Sequence, residues 1–134
     1  MPRARLAIFA IIVFIIGCKT IPEYQKEDKF SDTTAVYEHA ISWSDYQSAS
    51  AFLPPEEAEK IDYEKLKSIK VTSYNAKKIA ISDDHLNVAR IVEISYFNKN
   101  DMVVRTFSEE ELWEYDETKG SWFLNSGFPD FDLK

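Results

Sequence analysis

The chain changes grammar once, and that change decides what it can fold into. Ahead of Pro54-Pro55 the apolar residues recur at helical spacing; from Ser68 onward they alternate as strands do. Proline supplies no backbone donor and disfavours helix in the residue before it, so the pair must stop any helix that reaches it. Val36, Tyr37, Ala40, Ile41, Ser44, Ser48, Ala51 and Phe52 fall on one helical face. The pattern predicts a long helix from about Thr33 to Leu53, with Asp32 or Thr33 offering the N-cap oxygen. Pro55 can open a second, shorter helix reaching toward Leu66, with Glu56, Glu57 and Glu59 near its positive end.

Four strands are expected beyond it: Ile69–Ser82, Leu86–Phe97, Met102–Tyr115 and Ser121–Asn125. Asp83-Asp84, Asn98–Asp101 and Asp116–Gly120 supply the turns. In the second strand Val88, Arg90, Val92, Ile94 and Tyr96 share one face, with Ala89, Ile91, Glu93, Ser95 and Phe97 on the other. The apolar parity of the third strand moves from Val103 and Phe107 to Leu112 and then to Trp113 and Tyr115, which predicts a bulge or a strong bend. Trp113 and Trp122 flank the last turn and at least one of them is expected in the core, with Trp43 at the helix margin. Helices followed by antiparallel strands define an α+β layer: a long N-terminal helix plus a short helix packed on a four-stranded antiparallel sheet.

The start of the chain follows different rules. Arg3 and Arg5 precede an unbroken apolar run from Leu6 to Ile16, followed by Gly17 and the single cysteine, Cys18. That run is too short for a membrane-spanning helix, which needs about 20 residues. A basic start, a short apolar middle and a small residue before a cut are the parts of a secretory signal peptide. Gly17-Cys18 resembles the lipobox of bacterial lipoproteins, although Ile15 and Ile16 depart from the commoner leucine followed by alanine or serine. The resemblance implies cleavage between Gly17 and Cys18 and a covalent lipid on the Cys18 sulfur, so that the membrane is a partner. Several acyl chains make a lasting anchor, since each buried methylene contributes about 0.8 kcal/mol. Lys19 is not aspartate, the residue that at this position in enteric bacteria resembles a signal to stay in the inner membrane, so the resemblance implies the outer membrane facing the periplasm if the organism is Gram-negative. A buried element whose cysteine is simply apolar is the alternative, and the position of the run at the very start argues against it. The expected organisation is a cleaved leader over 1–17, the lipidated cysteine and a polar tether over 18–32, and one α+β domain over 33–134.

Without residues 1–17 the chain keeps 14 basic side chains against 23 acidic ones, a charge of −9. Phosphate backbones are bound by lysine and arginine, so a nucleic-acid partner is not expected. No second cysteine exists for a disulfide, and the core must hold by packing.

Ser42-Trp43-Ser44-Asp45-Tyr46-Gln47-Ser48-Ala49-Ser50-Ala51-Phe52-Leu53-Pro54 resembles the end of the first helix in nuclear-transport-factor-2-like domains. The hairpin Trp113-Glu114-Tyr115-Asp116 to Ser121-Trp122-Phe123-Leu124 is similar to that family's closing strands, and Asn125 to Phe131 to its short tail. The resemblance covers about Thr34 to Phe131. It implies a cone, with a curved sheet wrapped around the long helix and a space between them that is either a pocket or filled by side chains. The family includes enzymes, ligand binders and modules that pair through the sheet, so a homodimer through the sheet is one implied partner. The fold does not choose among them.

Residues with chemistry are few. His39 on the helix and His85 in a turn have no convincing partner, and no histidine pair stands at i, i+4 spacing, so neither metal nor cofactor is expected. Tyr37 and Asp45 are the helix candidates for an inward acid-base set, Asp45 reading better as a solvated charge. Arg90 and Arg105 each share strand parity with apolar neighbours. They either present a fork to an anionic ligand or cover apolar surface with their stems; with Tyr37 they are the candidate pocket residues. Glu109-Glu110-Glu111 reads as a solvated bulge. Only three glycines are present, none in a phosphate loop, and no serine sits in a nucleophile elbow. The expectation is a non-catalytic ligand-binding or protein-interaction module, with a small cone-pocket hydrolase or isomerase as the alternative.

Overall fold

The structure, a computed structural model, describes residues 22–131; Gly17, Cys18 and the rest of the expected leader lie outside the described residues. Helix α1 spans Glu23–Ser42, and three short helices follow: α2, Tyr46–Ala49; α3, Pro55–Ala58; and α4, Tyr63–Leu66. A 3-10 turn, Ser50–Phe52, separates α2 from α3. Strands β1 (Ile69–Ile81), β2 (Asn87–Asn98), β3 (Val104–Asp116) and β4 (Ser121–Leu124) form one antiparallel sheet in the order β1-β2-β3-β4. The domain is α+β, a long N-terminal helix and short helices on a curved four-stranded sheet, as the sequence pattern predicts.

Helix α1 differs from the expectation at both ends. It starts ten residues before Thr33, so residues 23–32 are helix rather than tether. Its buried stripe is Lys26, Phe30, Thr34, Tyr37, Ala40 and Ile41, and the first of these is polar by letter. The Lys26 stem is packed while its ammonium reaches Glu117 at 3.5 Å and the Tyr115 ring at 5.6 Å. Phe30 meets Trp122 and Trp113 edge-on at 5.1 and 6.0 Å, and the Trp122 indole donates to the Lys26 carbonyl at 2.9 Å. The hairpin thus recruits the extra turns.

The other end stops at Ser42, well short of the prolines. Asp45 N–H donates to the Ala40 carbonyl and Ser44 N–H to the Ile41 carbonyl, with Ser44 at φ 57°. These are the paired bonds that close a helix through a left-handed residue. Serine holds a place usually given to glycine because its hydroxyl accepts the Val71 N–H at 3.0 Å. Asp45 then caps α2 by accepting from Ser48 N–H at 3.1 Å. The second expected helix is likewise two, α3 and α4, with Asp62 capping the latter.

The sheet keeps the predicted strands. Val88, Arg90, Val92, Ile94 and Tyr96 are all buried on the inner face of β2. The expected bulge in β3 is absent: β2 and β3 pair from Asn87↔Glu114 to Phe97↔Val104 with every residue in step. The irregularities fall in β1, between Val71 and Ser73 and between Ala76 and Lys78, where extra residues bend an edge strand. Trp113 and Trp122 are in the core and Trp43 is exposed.

Candidate functional site

Two full charges sit inside the domain. Arg90 and Glu111, 3% and 1% exposed, stand directly opposite each other across β2 and β3. Arg90 Nε donates to Glu111 Oε1 at 2.9 Å, and its Nη2 lies 2.8 Å from the same oxygen. Nη1 donates to Glu38 Oε1 on α1 at 2.7 Å, and Nη2 to the Tyr74 hydroxyl at 2.9 Å. Trp113 Nε1 donates to Glu111 Oε1 at 3.1 Å, while the Tyr74 hydroxyl donates to Oε2. The guanidinium also faces the Tyr74 and Trp113 rings at 5.8 and 6.0 Å. Helix, edge strand and central strands therefore meet at one knot, with the buried charges satisfied by each other and by hydroxyl and indole donors.

Two residues along β3 from Glu111, Glu109 points to the same side and is half-buried. Its Oε2 accepts the Asp130 N–H at 3.3 Å. Burial pushes its carboxyl up to about 7, against the pull of the Asp130 N–H, and the charges of Glu111 and Asp130 push the same way as burial. Tyr37 is fully buried, and its hydroxyl has no hydrogen-bond partner among the described residues. Burial, then the charges of Glu111 and Glu109, hold that hydroxyl well above its ordinary value. The C-terminal segment closes this side: Phe131 packs edge-on against Tyr96 at 5.1 Å, and the Tyr96 hydroxyl donates to its carbonyl at 2.8 Å.

Of the predicted residues, Tyr37 and Arg90 come together inside the domain and Arg105 does not join them. Arg105 lies at the surface, its Nη2 2.6 Å from Asp101 Oδ2. Asp45 is spent on capping, and the Ser48 hydroxyl and N–H hold its carboxyl below the usual range. His39 is exposed beside Trp43, and His85 meets Glu27 at 3.1 Å and Glu23 at 3.6 Å on α1. Among the described residues no His/Cys/Asp/Glu group could hold a metal ion.

The acidic run corrects the reading of Glu109–Glu111 as a solvated bulge. Glu110 is exposed, Glu109 half-buried and Glu111 fully buried, because a regular strand sends alternate residues inward. Glu38, Tyr74, Glu109 and Glu111 escaped the sequence reading. The available signal was parity: Glu109 and Glu111 share it with Phe107 and Trp113.

No family model matches the chain, and no curated protein matches it. Among solved structures it is similar to a ketosteroid isomerase-like protein from Erwinia carotovora atroseptica, with a TM-score of 0.54 and 15% sequence identity over 72% of this chain and 88% of that one. The likeness shows the fold, that of nuclear-transport-factor-2-like domains.

Proposed function

We propose that this chain is a lipid-anchored exported lipoprotein whose cone domain binds a ligand or a protein partner and catalyses nothing. The observation that carries the reading is the knot itself. Arg90 bonds to both Glu111 and Glu38, so the charge inside the cone acts as core rather than as a reactive group. Both histidines lie toward the surface. The anchor rests on Leu6–Cys18, and Lys19 supports the outer membrane facing the periplasm. No helix among the described residues is long and apolar enough to cross a membrane. A homodimer through the sheet is supported by its outer face, where Val104 and Leu112 are exposed apolar side chains.

One observation favours the hydrolase or isomerase alternative. Glu109, with a carboxyl near 7, is electrostatically coupled to the unpartnered Tyr37 hydroxyl, and a general acid or base works best with a pKa near the working pH.

Two variants test the reading. Cys18→Ser should abolish fatty-acid labelling and leave the uncut precursor; labelling and maturation as in wild type would remove the anchor. His39→Ala/His85→Ala, if folded, should keep both its in-cell cross-linked partner and its cellular phenotype. A folded double variant that keeps the partner and loses the phenotype returns the case to catalysis.

A further inference from the structure

We propose that the cleft at the C-terminal end of α1 binds a small organic anion carrying a flat ring. The cleft holds about 370 Å³ and is lined by Trp43, Tyr63, Lys67, Lys70 and Lys99 together with the start of α2. That volume lies toward the small end of ligand sites, which run from about 300 to 1,000 Å³, and it suits a small molecule. The chain carries 23 acidic side chains against 16 basic ones, so three lysines around one cleft run against its overall balance. Lys67 leans on Glu64 at 2.8 Å, but both side chains are largely exposed, and a pair of that kind yields readily to a competing anion. Asp45 also lines the cleft, and its carboxylate is turned to the Ser48 hydroxyl and N–H.

The flat component of the ligand follows from Trp43. Its side chain is 68% exposed, in contrast to Trp113 and Trp122 at 1% and 3%. The turn that ends α1 presents it, with Ser44 pinned to Val71, and the His39 ring lies against it at 5.9 Å. An exposed indole at the rim of a lysine-lined cleft offers a stacking surface beside a positive charge. The inference gives a ligand class to the binding role proposed above and rests on that role.

Phenyl phosphate is a suitable probe, added to the full chain in a neutral detergent while the Trp43 indole N–H resonance is followed by NMR. A saturable shift is expected, with inorganic phosphate and phenol each binding at least about tenfold more weakly. Lys70→Glu/Lys99→Glu should weaken phenyl phosphate by about tenfold or more, and the exposed single change Lys99→Gln by less. Unmoved Trp113 and Trp122 resonances report that these variants remain folded. Inorganic phosphate binding as well as phenyl phosphate, or lysine variants binding like wild type, would overturn the assignment. A wild-type chain that ignores phenyl phosphate yet still captures its cross-linked partner overturns this cleft and leaves the binding role standing.

Discussion

Arg90 and Arg105 look interchangeable as letters, since each stands among apolar neighbours of its own strand parity. The fold gives them opposite surroundings. Arg90 is enclosed by Glu111, Glu38 and Tyr74. The Arg105 side chain is 44% exposed and meets Asp101, four residues earlier in the chain. What stands across the sheet makes the difference: Arg90 pairs with Glu111, Arg105 with Tyr96. An exposed ion pair exchanges one solvated arrangement for another, whereas breaking a buried one strands a charge away from water. Burial, more than pairing, sets what each arginine is worth.

The sharpest test of that contrast is Arg90→Ala. It leaves the Glu111 carboxylate buried with only hydroxyl and indole donors, and the expected loss is about 3–5 kcal/mol. That is a large share of the roughly 5–15 kcal/mol that holds a domain together, and it should appear as a much lower urea midpoint. Replacing both partners, Arg90→Met with Glu111→Leu, should recover part of the loss, because apolar groups need no compensating charge, while the Trp113 indole and the Tyr74 hydroxyl lose their acceptor. Glu38, on the helix flank, can turn its carboxylate to water. A loss below about 1 kcal/mol from Arg90→Ala, the size typical of exposed pairs, would erase the distinction between the two arginines.

The same contrast marks how far the sequence could be read. The α+β layer was legible because helical and strand periods are set by backbone geometry and survive in the pattern of apolar residues. That Val88, Arg90, Val92, Ile94 and Tyr96 share one face of β2 followed from strict alternation; that this face is the inner one, with the Arg90 head enclosed, did not. Where apolar letters mislead, the reading stopped. Lys26 hides a buried stem behind a charged head, so the first turns of α1 looked like tether. Ser44 ends the helix through a hydroxyl bonded to β1, a tertiary contact with no local signature. Glu111 was misplaced because buried carboxylates are rare, and its burial depends on Arg90 standing opposite. Register is set by the β2–β3 turn, and nothing in Asn98–Val103 announces which glutamate it will align.

Glu109 offers a test of intermediate size between knot and surface. Its carboxyl is raised from an ordinary value near 4.5 to about 7, so the folded state keeps a proton that the unfolded chain gives up. Stability should therefore fall as pH rises from about 4.5 to 7 and level off above, losing up to about 3 kcal/mol. Glu109→Gln, which keeps the shape without the charge, should flatten that slope and be more stable than wild type at pH 8. Urea unfolding at a series of pH values decides it. An unchanged slope in the variant would show that Glu109 is solvated, like Arg105, rather than half-enclosed.

The smallest effect is expected at the surface pair, where the measurement must look past stability. Arg105→Ala should leave the urea midpoint within error of wild type, because both side chains return to water that already touches them. The pair still leaves a local trace. The Arg105 guanidinium, followed by the Val103 N–H, holds the Asp101 carboxyl below its usual value. Removing the arginine should move that titration upward, but not fully, since the Val103 N–H still donates at 2.9 Å. High salt in the wild type should produce part of the same movement, because the Debye length shrinks to about 3 Å at 1 M. The Glu111 contacts inside the sheet are out of reach of that screening. NMR titration of the Asp101 carboxyl gives the answer. A midpoint that drops with Arg105→Ala as it does with Arg90→Ala would mean that pairing, rather than burial, governs both.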